Sequence, residues 1–206
     1  VITTAHSLGI PTTSTMMYGH LETPRQSARH LLLLRDLQRQ TGGFSEFVPL
    51  GFIHWQAPMH LEGRFPALRP GPTGLATLRI HAVSRLVLNR DIPNIQVSWV
   101  KEGIKLAQAC LAAGANDLGG TLINESISTA AGSEHGQLLR PADLRRFIQD
   151  AGRTPVERST LYRVLRRFDS HGNTDSQPLD DLAPEDVANL GSYAALIESE
   201  KFSYSG

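Results

Sequence analysis

The strongest constraint on this chain is a rhythm. A short apolar or β-branched run, a polar turn and a stretch of helical periodicity follow one another repeatedly, with no hairpin signal between them. Extended runs over residues 10–17, 44–50, 92–100 and 115–119 alternate with helical patterns over 24–40, 73–89, 102–113 and 141–151. Strands joined through helices run parallel, because a parallel pair needs a long crossover that a tight turn cannot supply. The chain therefore reads as α/β, and about four βα units fit half of an eight-unit barrel. A doubly wound open sheet is the structural alternative; the lack of a Gly-x-Gly-x-x-Gly turn counts against it.

The first strand breaks into a loop at Tyr18-Gly19-His20-Leu21-Glu22 and restarts as a helix at Thr23-Pro24. Threonine there suits an N-cap and proline the first helical position, since proline has no amide to leave unpaired. Gly42-Gly43 ends that helix, whose apolar positions are Ala28, Leu31, Leu32, Leu34 and Leu37. The later helix over 73–89 offers Leu75, Leu78, Ala82, Val83 and Leu86 as its buried stripe. Between them, residues 51–72 form a loop too long for a simple connection and too apolar for a disordered linker. Phe52, His54, Trp55, Met59, His60 and Phe65 make it a folded lid or pocket wall. The opening residues 1–9 read as the tail of a helix, which suggests a fragment. Residues 1–158 form the globular part, and 159–206 a linker and irregular tail with one short helix over 184–201.

Twenty basic residues balance 20 acidic ones, so no general field draws the chain to nucleic acid or an anionic membrane. Its apolar runs are far shorter than the roughly 20 residues a spanning helix needs. A single cysteine, Cys110, excludes an internal disulfide framework and fits a reducing, cytoplasmic setting. It sits among alanines and leucines and reads as packing. No His-x-His, His-Glu-x-x-His or Cys-x-x-Cys spacing points to a metal site held by this chain, and no Gly-x-Ser-x-Gly elbow points to a serine hydrolase.

In a parallel barrel the ligand is handled by loops leaving the C-terminal ends of the strands. That rule collects Tyr18, His20 and Glu22 after the first strand and His54 and Trp55 after the second. Ser98, Trp99 and Lys101 gather around the third, and Thr121, Asn124, Glu125 and His135 after the fourth. Glu46 and Gln96 are polar within otherwise apolar strands, and each needs a partner. For Glu46 that partner is a ligand or an arginine elsewhere in the chain. Glu22 precedes a helix start, where the dipole favours a carboxylate whatever the protein does. His60 and His81 are assigned to structure.

Several stretches together resemble the C-terminal half of a radical S-adenosylmethionine enzyme of the deazaflavin (FO) synthase family. They are Thr15-Met16-Met17-Tyr18-Gly19-His20-Leu21-Glu22-Thr23, Thr41-Gly42-Gly43-Phe44, Glu46-Phe47-Val48-Pro49-Leu50, Pro93-Asn94-Ile95-Gln96-Val97-Ser98-Trp99-Val100-Lys101 and Ala113-Gly114-Ala115-Asn116-Asp117-Leu118-Gly119-Gly120-Thr121-Leu122. Glu125-Ser126-Ile127-Ser128 and Ala131-Gly132-Ser133-Glu134-His135-Gly136-Gln137 add to the likeness. Menaquinone-pathway relatives share the Tyr18-Gly19-His20 and Gly42-Gly43-Phe44 type of segment. The stretches Phe52-Ile53-His54-Trp55-Gln56-Ala57-Pro58 and Arg69-Pro70-Gly71-Pro72-Thr73 look like the deazaflavin type.

The resemblance implies half of a (β/α)8 TIM-type radical S-adenosylmethionine barrel. It also implies a chemistry in which a tyrosine-derived 4-hydroxybenzyl unit joins 5-amino-6-(D-ribitylamino)uracil on the way to coenzyme F420, with a ring-closing partner module completing the product. By the same resemblance Tyr18, Gly19, His20 and Glu22 would lie against S-adenosylmethionine. Glu46, His54, Gln96, Ser98, Asp117, Thr121 and Glu125 would face substrate. The family's [4Fe-4S] cluster is held by a Cys-x-x-x-Cys-x-x-Cys loop that this chain lacks, so ligation would come from residues outside it. The rival readings are a noncatalytic binding remnant of the fold and a menaquinone-pathway relative. Half a barrel leaves two open sheet edges, so the isolated chain is expected to self-associate or to be poorly soluble.

Overall fold

The computed structural model describes residues 1–122, 126–133, 135 and 139–168. Asn124, Glu125, the polar stretch over 169–181 and the expected helix over 184–201 lie outside the described residues.

A short helix α1 (Ile2–Ser7) leads into β1 (Thr12–Tyr18). The first crossover is then helix α2 (Pro24–Thr41), which returns to β2 (Phe44–Gly51), parallel to β1 with Ser14 opposite Phe47 and Tyr18 opposite Gly51. Thr23 caps α2 in a full capping box with Gln26, and Gly42 closes it in the left-handed conformation at φ 66°. Both ends were legible in the sequence.

The third and fourth expected strands shrink to single parallel bridges, Phe47 to Ile95 and Gln96 to Asp117. Backbone bonds from Gln96 N–H to the Phe47 carbonyl (3.0 Å) and from Val97 N–H to the Asp117 carbonyl (2.9 Å) keep the segments extended. Side chains take over where a longer ladder would run. Asn116 Oδ1 accepts the Ile95 N–H (2.8 Å), and Arg85 donates to the Gly114 and Pro93 carbonyls (2.8 and 2.7 Å). The run expected over 92–100 also ends early, because Ser98 opens the helical turn α5 (Trp99–Glu102). Gly103, at φ 76°, separates that turn from α6 (Ile104–Ala112), so the single helix expected over 102–113 is two.

Helix α4 (Gly74–Leu88) corrects a second expectation. Its buried residues are Thr77, His81, Ser84 and Leu88, whereas Leu75, Val83 and Leu86 are exposed. The polar stripe faces inward because its inner neighbours are polar. Thr77 Oγ1 donates to Glu102 (3.1 Å), His81 Nδ1 lies 2.8 Å from the Thr77 carbonyl, and the backbone of Gly114 passes so close that a Cβ there would stand 2.8 Å from the His81 carbonyl oxygen.

The core has two parts. Met16, Leu31, Leu34, Phe44, Phe47, Leu88, Ile92 and Ile95 pack between the strands and α2 and α4. Val97, Trp99, Val100, Ala107, Cys110, Leu111, Ala115 and Leu118 pack around α5 and α6. Cys110 is fully buried in the second, as its neighbours in sequence indicated.

The 51–72 loop is folded, with one turn of helix α3 (Pro58–Leu61), and a further turn α7 (Ser126–Ala130) follows the fourth extended segment. After α8 (Pro141–Asp150) the chain forms an antiparallel hairpin of β3 (Val156–Arg158) and β4 (Val164–Arg167). The hairpin spans residue 158, where the sequence changes character. Among the described residues no helix is long and apolar enough to cross a membrane.

Candidate functional site

Pleating sorts the strand residues into two faces. Ser14, Met16 and Tyr18 of β1 are buried, and Met16 packs with Phe47 and Ile95 beneath the helices. The opposite face therefore carries Thr13 opposite Glu46 and Gln96 opposite Asp117. Glu46 and Gln96, the polar residues within otherwise apolar strands, both lie on that face.

They divide by what already holds them. The Asp117 carboxylate takes Arg158 in a two-pronged pair, Nη2 to Oδ1 at 3.0 Å with Nε on Oδ2, and its Oδ1 also accepts the Gly119 N–H (2.5 Å). Glu46 accepts from Thr13 Oγ1 (2.9 Å) and from the Tyr162 hydroxyl, with Arg158 4.0 Å away. The Arg158 guanidinium stacks over the Tyr162 ring at 3.9 Å. Burial, then the bond to Glu46, pushes the Tyr162 hydroxyl pKa well up, so it stays a proton donor. The arginine that Glu46 called for is thus Arg158, on the hairpin. Sequence spacing missed it because the hairpin is remote in the chain.

Gln96, Ser98 and Thr121 are different. Together with Asp117, Arg158 and Tyr162 they line an open cleft of about 1070 Å³. Among the described residues their side chains make no hydrogen bond. Polar groups left free in a concave surface are what a ligand engages.

The rim at the C-terminal ends of β1 and β2 is tightly built. Glu22 turns back onto its own loop and accepts the N–H groups of Gly19 (2.8 Å) and His20 (2.9 Å). Arg69 pairs with its Oε1 (2.7 Å) and donates to the carbonyls of His20 (3.0 Å) and Glu22 (2.7 Å). Partial burial would raise the Glu22 carboxyl pKa, but those amides and the guanidinium outweigh it and hold the pKa below the usual range. Gly19 sits at φ 89°, and a Cβ there would stand 2.4 Å from the Pro72 nitrogen. Only glycine fits between this loop and the 69–72 segment.

Tyr18 is corrected from a loop residue to the buried last residue of β1, 3% exposed. Its hydroxyl lies 3.0 Å from Thr77 Oγ1 and 2.9 Å from Glu102 Oε1, and burial together with Glu102 pushes its pKa far up. Glu102 itself was missed, because in sequence it looks like an ordinary helix start. A recess of about 250 Å³ beside it is lined by His54, Trp55, Lys101, Glu102 and His135. His54 stacks on Trp55 (4.2 Å) and meets His60 edge-on (4.8 Å), so it belongs to this recess and not to the larger cleft. His20 keeps its ring 3.6 Å from Glu22 and edge-on to Phe52.

Comparison with known proteins agrees with the motifs that run through both regions. Residues 41–171 match the family described as the CofH/MqnC C-terminal region. The chain belongs to that family. The matched region takes in the hairpin and so makes Arg158 and Tyr162 part of the family domain. Among the relatives is a Methanopyrus kandleri protein named 5-amino-6-(D-ribitylamino)uracil--L-tyrosine 4-hydroxyphenyl transferase. It is 52% identical over 168 residues, which cover 82% of this chain and 45% of the relative. A Methanothermobacter thermautotrophicus protein of the same name is 52% identical over 165 residues, covering 80% and 44%. The FO synthase of Mycobacterium tuberculosis is 48% identical over 165 residues, covering 80% of this chain and 19% of that protein. The chain thus spans less than half the length of these relatives.

Proposed function

We propose that this chain is the C-terminal portion of a radical S-adenosylmethionine 4-hydroxyphenyl transferase of FO synthesis. In that role it forms half of a (β/α)8 barrel and supplies the binding surface for 5-amino-6-(D-ribitylamino)uracil and L-tyrosine. The observation that carries the reading is the identity of about half to proteins of that name over 80% of the chain. The geometry adds a place for recognition. An amide and two hydroxyls, on Gln96, Ser98 and Thr121, stand free in one cleft, and a pyrimidine with a polyol tail is rich in donors and acceptors. Asp117 lines the same cleft, Glu46 backs it through Tyr162, and His54 borders the neighbouring recess.

S-adenosylmethionine, when bound, supplies the hydrogen-abstracting radical. We assign its contact on this chain to the loop after β1, where Gly19 gives the close turn, Glu22 ties the loop's amides together, His20 lies edge-on to Phe52 and Tyr18 anchors the loop base. The residues present do not fit the iron–sulfur cluster. Cys110 is the one cysteine and is buried, and among the described residues no three His, Cys, Asp or Glu side chains gather. No step is assigned through the cluster to this chain.

The test is complementation. The chain is fused to the cysteine-bearing N-terminal half of the Methanopyrus kandleri relative, and the coupled 4-hydroxybenzyl–aminouracil product is followed by mass spectrometry. Product is expected, with loss on Gln96→Ala. No product, under conditions where the relative's own C-terminal half gives it, would overturn the reading in favour of a noncatalytic binding remnant.

A further inference from the structure

The Arg158–Tyr162 hairpin lies on the inner face of the parallel segments, yet it belongs to none of them. Its guanidinium fixes both oxygens of Asp117. Asp117 in turn fixes the Gly119 amide, and that turn is what the Gln96 side chain rests on: a Cβ on Gly119 would stand 3.0 Å from Gln96 Nε2. The same turn continues into Gly120, whose carbonyl accepts the Trp99 indole N–H (3.1 Å), and into Thr121, whose carbonyl accepts the Leu139 N–H (3.0 Å). A continuous path therefore leads from Arg158 to two of the three free polar side chains of the cleft. Tyr162 braces its start, with its ring under the guanidinium and its hydroxyl on Glu46.

We infer that Arg158 and Tyr162 are positioning residues of the substrate cleft, acting through Asp117 and the 119–121 turn to aim Gln96 and Thr121 at the bound aminouracil. This rests on the function proposed above. Arginine suits the position because its planar fork satisfies both Asp117 oxygens in one orientation, whereas lysine would supply charge without direction.

The test uses the 206-residue chain and 5-amino-6-(D-ribitylamino)uracil as probe, with affinity measured calorimetrically and folding checked by thermal unfolding. Gln96→Ala and Arg158→Gln are each expected to weaken binding roughly tenfold, the loss of about one well-made polar contact. The double variant is expected to lose clearly less than the sum of the two single losses, because the arginine acts partly through the amide and only the part routed through Thr121 remains. Arg158→Lys should recover part of the loss, and Tyr162→Phe should cost a few-fold. If Arg158→Gln does not fold, the cycles of Arg158→Lys and Tyr162→Phe with Gln96→Ala decide the matter. Additive losses, or folded hairpin variants that bind as the parent does while Gln96→Ala does not, would overturn the inference and leave the proposed site standing. No binding by the parent chain would overturn both.

Discussion

Replacing Glu22 by glutamine is a one-atom change with a large expected effect on the rim. The carboxylate accepts two backbone amides at 2.8 and 2.9 Å and pairs with Arg69 at 2.7 Å. A glutamine oxygen can accept only on one side, and its NH2 group would face an amide N–H, donor against donor. Hydrogen bonds to a charged group contribute about 1.5–3 kcal/mol each. Arg69 is half exposed, so that pair adds at most about 1 kcal/mol. Losing one amide bond and weakening the other two interactions gives an expected destabilisation of about 2–4 kcal/mol in urea unfolding at pH 7. The sign with pH follows from the lowered pKa. A carboxyl held below its unfolded value contributes stability that is complete above about pH 4.5 and fades as acid protonates the folded form. The gap between parent and Glu22→Gln should therefore narrow progressively as pH falls below about 4.5. Equal stabilities at pH 7, or a gap unchanged by acid, would refute the view that the carboxylate organises the loop.

Three other groups give independent readings. His81 is fully buried with Nδ1 2.8 Å from the Thr77 carbonyl, and burial lowers its pKa, so it is neutral in the fold. Protonation of the unfolded chain should cost stability as pH drops below about 6.5, and His81→Asn should remove that part of the slope in unfolding experiments. The Cys110 thiol is buried, and its pKa is pushed up to about 12 by burial and by Glu102. Native protein should resist thiol reagents at pH 8 and react fully in denaturant; fast native labelling would contradict the packing. For the isolated chain, β1 pairs only with β2 among the described residues, so light scattering should show self-association, and a monodisperse monomer would count against exposed edges.

The fold was legible where local chemistry decides it. Thr23-Pro24 and Gly42 bracket α2 because capping needs only neighbours in sequence. It was less legible where distant groups decide. Asn116 and Arg85 satisfy backbone groups that a longer ladder would have used, which no window over residues 92–100 can reveal. The inward stripe of α4 is polar because Tyr18, Glu102 and the Gly114 backbone wait on its inner side, and a periodicity count cannot see them.

The candidate site shows the same division, and it bears on function. Sequence alone could not rank Glu46, Gln96, Ser98, Asp117 and Thr121 by what each has left to offer a ligand. The structure separates them by saturation. A carboxylate already holding a guanidinium, an amide or a phenol has little left to offer a ligand, whereas desolvating an unpartnered amide or hydroxyl costs free energy unless a ligand replaces the lost water. Asp117 and Glu46 are therefore better suited to holding shape, and Gln96, Ser98 and Thr121 to recognising what enters. This ordering carries a consequence for substitution. Asp117→Asn keeps an acceptor oxygen but loses the charge that orients Arg158, so it should reduce affinity by loosening the 119–121 turn while leaving the cleft's own donors and acceptors intact. Gln96→Ala removes a recognition group and should leave Arg158 and Asp117 locked together. Amide hydrogen exchange at Gly119 separates the two effects. It should rise sharply in Asp117→Asn and stay at the parent rate in Gln96→Ala.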